Sequence, residues 1–265
     1  MARRRRADTA KLILGTGVEM LVSRGLDGGC AQVRMADVLG EIERRTGERI
    51  TNASVYGRIW TNQNEFHQDL LVSAAEYYPS GEEQATLDAA REVLDAWDLT
   101  TDDGRRSALR EIARSAGAAH LVSLKGSRPW QTWLAIWAIT VSTPTPDDDA
   151  IRGPAIGRRH HHAVRHFEAV LGEVLDRIGF QVKRPFTLQQ LASSVYALSE
   201  GVALNDRFAD EGVVRVERRT GHGASTQEWS LFSVGFEALL VHFTELDPGA
   251  TFRPQFPFDK QHSTA

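Results

Sequence analysis

The densest group of metal-capable side chains is Arg158-Arg159-His160-His161-His162, with His166 one helical turn further on. His162 and His166 are four apart, so on a helix both imidazoles could reach one ion. No glutamate stands between them in HExxH order and no cysteine accompanies them. The run therefore reads as a basic, solvated helix face, and no metal is expected. Cys30 is the one cysteine, which excludes an internal disulfide and fits a reducing cytoplasm. Beside an apolar segment it reads as a small buried hydrophobe rather than a redox sensor. Carboxylates crowd together only in runs such as Asp147-Asp148-Asp149, which look solvated. The chain has no GxSxG, no P-loop, no GxGxxG opening a helix after a strand, and no CxxC. An enzyme is not expected, nor a cofactor.

A different chemistry is available further upstream. Thr51, Asn52, Ser54, Tyr56 and Arg58 place hydrogen-bonding groups along a short stretch whose other face carries Val55 and Ile59. A short helix with an apolar inner seam and a polar outer face is what a major groove accepts. Basic residues flank it: Arg34, and the arm Arg3, Arg4, Arg5 and Arg6, which suits phosphates or a minor groove.

The elements that must hold these groups are legible. A helix over about 7–24 carries Leu12, Ile13, Thr16, Met20 and Leu21 on one stripe. The next, about 34–45, puts Met35, Val38, Leu39 and Ile42 on one face, and Gly47 stops it. The reading helix spans about 52–60, with Ile50 plugging inward. A fourth runs from Asn64 to about Tyr78, with Phe66, Leu70 and Leu71 inward, and ends at Pro79-Ser80-Gly81.

This N-terminal quarter resembles the TetR (tetracycline-repressor-like) family of bacterial transcriptional regulators. The resemblance is carried by Met20-Leu21-Val22-Ser23-Arg24-Gly25-Leu26, by Ser54-Val55-Tyr56 followed by Trp60, and by Thr61-Asn62-Gln63-Asn64-Glu65-Phe66. Gln63 or Asn64 stands where the family has a lysine, and Arg34 where it has a threonine. The turn between Val38 and Val55 is several residues longer. The resemblance implies an operator-binding head, a body that takes a small-molecule effector, and a dimer built from the last two helices. Repression is the usual action in that family.

Charge distribution agrees with such a head. The whole chain carries a formal −4. Residues 1–72 hold 11 Lys/Arg against 9 Asp/Glu, or +2, and the remainder holds 20 against 26, or −6. No apolar run reaches the roughly 20 residues that span a bilayer, and no signal-peptide segment follows the basic start. A cytoplasmic protein with no membrane partner is expected.

Beyond the boundary near 72–80 the reading is helical throughout, with no strand-period segment except a short extended piece at Val213–Val216. Helices are expected at 85–97, 109–121 and 126–141. Pro154 is expected to open another to about Ile178. Thr187/Gln190 and Ser225/Glu228 read as capping boxes for the last two, at about 187–209 and 226–246. Trp130, Trp133 and Trp137 share one face and suit the wall of an apolar pocket, with His120 and Phe167 as further lining. The penultimate helix is rich in small residues and the last has a broad apolar face. Tyr196, Trp229, Phe236 and Leu240 are therefore expected at a two-fold interface.

The expectation is an all-α protein: a three-helix helix-turn-helix DNA-binding domain over 1–72, then a larger helical effector-binding and dimerisation domain over 73–265. It would be a homodimeric, ligand-responsive transcriptional regulator, held on double-stranded operator DNA and released by a small apolar or aromatic effector. The rival is a helical small-molecule-binding or metal-dependent protein without DNA-binding activity.

Overall fold

A computed structural model describes residues 6–25, 29–78, 83–142, 146–210, 214–220 and 225–250, the side chains of 146–151 excepted. The chain is mostly helical, as its periodicity requires. It divides into two compact units, Met1–Pro79 with Ser127–His160, and Ser80–Gly126 with His161–Ala265. The sequence suggested one boundary near 72–80, with everything after it in a single body. The helix with the tryptophan stripe instead belongs to the first unit.

In the first unit, α1 (Arg6–Arg24), α2 (Met35–Thr46), α3 (Asn52–Val55), α4 (Gln63–Glu76) and α7 (Arg128–Ser142) surround one apolar core. Ile13, Leu21, Met35, Val38, Ile42, Val55, Phe66 and Leu70 are all sealed from solvent, and Ile136 of α7 joins them. Gly17 of α1 is buried where Leu70 crosses it, so a side chain there would meet Leu70 Cδ1 at 2.9 Å. Gly47, at φ +71°, ends α2 through its amide bond to the Glu43 carbonyl. Arginines fasten the later elements of this unit: Arg128 donates to the Ser23 carbonyl, Arg159 to the Tyr77 carbonyl, and Arg158 pairs with Glu76. Arg159 is 5% exposed, and its guanidinium lies 5.4 Å from the ring centres of Tyr78 and Trp133.

The second unit packs α5 (Gln84–Ala96), α6 (Asp102–Gly126), α9 (Leu188–Asn205) and α10 (Leu231–Phe243) with the C-terminal part of α8 (Pro146–Ile178). Gly179, at φ +67°, turns the chain out of α8 into β1 (Phe180–Val182). β1 pairs antiparallel with β4 (Thr244–Leu246), Phe180 opposite Leu246. A second hairpin joins β2 (Arg215–Arg219) to β3 (Thr226–Ser230), Val216 opposite Trp229.

These short sheets accompany a mostly helical body, and β2 overlaps the extended piece expected at Val213–Val216. Thr226–Ser230 was expected to open the last helix from a Ser225/Glu228 box. It pairs with β2 instead, with Trp229 fully buried opposite Val216 and Glu228 reaching diagonally to Arg215 at 2.6 Å. The helix begins one step later, where Ser230 Oγ accepts the Ser233 amide at 3.0 Å. Thr187 and Gln190 do form the expected reciprocal cap on α9. Pro154 opens no helix but lies inside α8, and α6 begins at Asp102 rather than 109. Thr101 Oγ1 accepts the Gly104 amide at 3.1 Å there.

Candidate nucleic-acid interface

The expected reading helix is the largest local departure. Only Asn52–Val55 is helical, a single turn. Gly57 then takes φ +79°, a conformation glycine adopts without strain and helices do not continue through. Its amide donates to the Trp60 carbonyl at 2.8 Å, so Tyr56–Trp60 closes as a tight loop rather than a second turn of helix. Trp60 anchors that loop: it is 2% exposed, packs edge-on to Phe66 at 5.2 Å, and donates its indole N–H to Asp69 at 2.7 Å.

Within this frame the expected contact residues separate by what their polar atoms already do. Ser54 Oγ donates to the Thr51 carbonyl at 2.7 Å and accepts the Thr51 amide at 3.3 Å, so its hydroxyl stiffens the turn. Tyr56 is half-buried and donates its hydroxyl to Gln63 Oε1 at 2.7 Å. Burial raises its pKa, which keeps the phenol protonated as that donor. The hydroxyl protons of Ser54 and Tyr56 are thus engaged within the turn. Thr51, Asn52, Arg34 and Arg58 are exposed, and neither arginine forms an ion pair among the described residues. Arg6 begins α1, while Arg3, Arg4 and Arg5 lie outside the described residues.

Arg49 was not singled out from sequence. It is exposed in the turn before α3 and likewise forms no ion pair among the described residues. Its neighbours on α2 behave differently. Arg44 and Arg45 are both tied to Glu41, and Arg45 also to Glu19, which pulls the Glu41 carboxyl down to about 2. The signal that separates Arg49 from them is local: it lies outside the helix, and no carboxylate stands three or four residues away in the sequence.

Gln63 is the hub that ties the three elements together. Its Oε1 accepts the Met35 amide at 3.2 Å, at the start of α2, as well as the Tyr56 hydroxyl. Its Nε2 faces the Val33 carbonyl at 3.2 Å and His67 Nε2 at 2.7 Å. Asn62 caps α4 by accepting the Glu65 amide, and Glu65 in return holds the Thr61 amide at 2.5 Å.

The expected effector residues fall in both units. Trp130, Trp133 and Trp137 lie in the first unit, His120 and Phe167 in the second. Trp130 and Trp133 are buried, but Trp137 is 41% exposed. In the second unit, His120 is walled by Phe167 at 5.2 Å and Phe232 at 5.6 Å, and its Nε2 has no hydrogen-bond partner among the described residues. Burial lowers its pKa to about 4, an effect that Glu83 opposes and His166 reinforces. His120 is thus a neutral imidazole with an open nitrogen.

The expected interface residues are packed within the subunit. Tyr196, Trp229, Phe236 and Leu240 are at most 7% exposed within one subunit. Tyr196 packs on Phe167, Phe236 stacks on Phe232, and Trp229 lies under the Arg218 guanidinium at 4.7 Å. Large aromatics on amphipathic helices fill their own core first. The small and apolar residues left outside on α9 and α10 are Ala197, Gly201, Leu204, Leu231, Ala238 and Val241.

Among the described residues, no group of three or more His, Cys, Asp or Glu is placed to hold a metal, and no helix is long and apolar enough to cross a membrane. His166 Nε2 lies 3.6 Å from Glu83. Cys30 is half-buried, and desolvation raises its thiol to about 11. No family model, curated protein or solved structure matches this chain.

Proposed function

We propose that the chain is a ligand-responsive transcriptional regulator that binds operator DNA as a homodimer. The observation that carries this reading is a set of exposed arginines with no ion pair among the described residues: Arg34 at the start of α2, Arg49 in the α2–α3 turn and Arg58 just after α3. That turn is braced from within by Gln63, Ser54 and the buried Trp60. Elsewhere on α2 arginines are neutralised by carboxylates. Leaving three cations unpaired on a rigid support suits phosphate contact, and Asn52 and Thr51 between them suit base edges. The outward apolar residues of α9 and α10 support a dimer, and a dimer supplies two half-sites. His120, neutral and open beside aromatic rings, supports an effector that is apolar or aromatic and carries one hydrogen-bonding group.

Fluorescence anisotropy on duplex DNA tests the reading through its salt dependence. Three phosphate contacts per head give a slope of about −5 for a dimer in log K against log salt. Arg58→Ala should flatten that slope by about two, one contact per head. The rival reading, a helical small-molecule-binding protein, draws on the single turn of α3. Binding that is absent at low salt would favour it.

A further inference from the structure

In the second unit, His120 sits on α6 where α8, α9 and α10 each bring an aromatic ring. Phe167 of α8 stands perpendicular to it at 5.2 Å, Phe232 of α10 lies at 5.6 Å, and Tyr196 of α9 packs on Phe167 at 5.8 Å. The imidazole forms no hydrogen bond with the described residues through either nitrogen. A buried polar atom without a partner forfeits the bond it had in water, so a packed core seldom keeps one. His120 and Phe167 keep some accessible surface, whereas Phe232 and Tyr196 are closed off. The imidazole and Phe167 therefore border a space, with the other two rings packed behind them.

We propose that this space takes an uncharged phenol, with the hydroxyl on the His120 imidazole and the aromatic ring against Phe167. This deepens the effector part of the proposed function and rests on it for any consequence on DNA, though the site itself does not need DNA to be tested. The hydroxyl follows from the imidazole. When neutral, that ring has one N–H and one bare nitrogen, and a hydroxyl can accept from the first or donate to the second. A ketone or an ether serves only one of the two. The absence of charge follows from the surroundings. His120 is itself a test cation at this point. Burial holds its pKa at about 4, although Glu83 is near enough to favour the charge, and His166 adds to the lowering. An ammonium ion would meet the same desolvation. A carboxylate would be desolvated as well and would face Glu83, whose Oε1 lies 3.6 Å from His166 Nε2. It could enter only by charging an imidazole, and that would appear as proton uptake on binding.

The test titrates the full chain at neutral pH with probes of one shape: para-propylphenol, para-propyltoluene, para-propylbenzoate and para-propylbenzylamine. Binding is followed by calorimetry in two buffers of different ionisation heat and by NMR of the imidazole nitrogens. The phenol should bind about fivefold more tightly than the toluene, the worth of one hydrogen bond, and more tightly than either ion. It should shift the His120 nitrogens and exchange no proton with the buffer. His120→Phe should bring the phenol down to the affinity of the toluene. Should that variant fail to fold, the wild-type ranking and proton count decide alone. A phenol that does not bind, a toluene that binds as well, or an ion that binds better would overturn the site. Phenol binding that leaves duplex affinity unchanged would refute the effector reading and leave the site standing. A protein that binds duplex but no phenol would do the reverse.

Discussion

Two glycines on α1 receive the same substitution with opposite expected signs. Gly15 is exposed, and a methyl group added there meets nothing within 4 Å. Gly15→Ala should therefore gain helix propensity alone, about 0.5–1 kcal/mol. Gly17 gains the same propensity, but its new methyl would lie 2.9 Å from Leu70 Cδ1 and 3.6 Å from Phe66 Cζ. Both of those side chains are 0% exposed, so neither has open space to move into. Overpacking of a sealed core costs about 1–3 kcal/mol. The clash outweighs the propensity, and Gly17→Ala should lose about 1 kcal/mol net. The two variants should then differ by about 4–8 °C in melting temperature, at roughly 2–4 °C per kcal/mol. Native-state hydrogen exchange at α1 and α4 reads the first unit by itself and should show the same order. A Gly17→Ala protein as stable as Gly15→Ala would refute the α1–α4 packing described above.

Three further outcomes follow from the second unit. His120 is held neutral, with its pKa lowered from 6.5 to about 4. The unfolded chain therefore takes up a proton that the folded one refuses. Stability should be full above about pH 6.5 and fall by about 3 kcal/mol on reaching pH 4, a slope that His120→Phe should remove in urea titrations. Glu237 is nearly buried and bonds Arg110 at 2.8 Å and Arg218 at 2.6 Å. Those arginines are half-exposed and can rehydrate, so Glu237→Ala should cost about 2 kcal/mol rather than the penalty of stranded charges, as read by chemical denaturation. Leu204→Glu with Val241→Glu alters only outward positions and should shift sedimentation from dimer to monomer while leaving circular dichroism unchanged.

Apolar periodicity revealed the helices because burial acts on every turn of an amphipathic segment. Met35, Val38, Leu39 and Ile42 on α2, and Phe66 and Leu70 on α4, are inside as that spacing requires. Where a helix stops depended on single residues whose role is set by distant partners. Gly57 ends α3 after one turn, while Pro154 ends nothing. Thr226–Ser230 is short enough to be strand or helix, and only pairing with Arg215–Arg219 decides it. Hydrophobicity alone does not separate a subunit's own core from a surface for a partner, and Trp229 and Phe236 are buried within the subunit. The Gln63 hub was invisible for a related reason. Its partners Val33 and Met35 are 30 and 28 residues away, and both contacts use backbone atoms. The grouping of α7 with α1–α4 is likewise a long-range fact with no local mark.

The central claim is that this chain recognises DNA, and selection from a random duplex library tests it most directly. The full-length protein should enrich a two-fold motif over successive rounds, and Asn52→Ala should relax that motif at one position per half-site. A library that stays unenriched at low salt, for a protein that is folded and dimeric, would contradict the account.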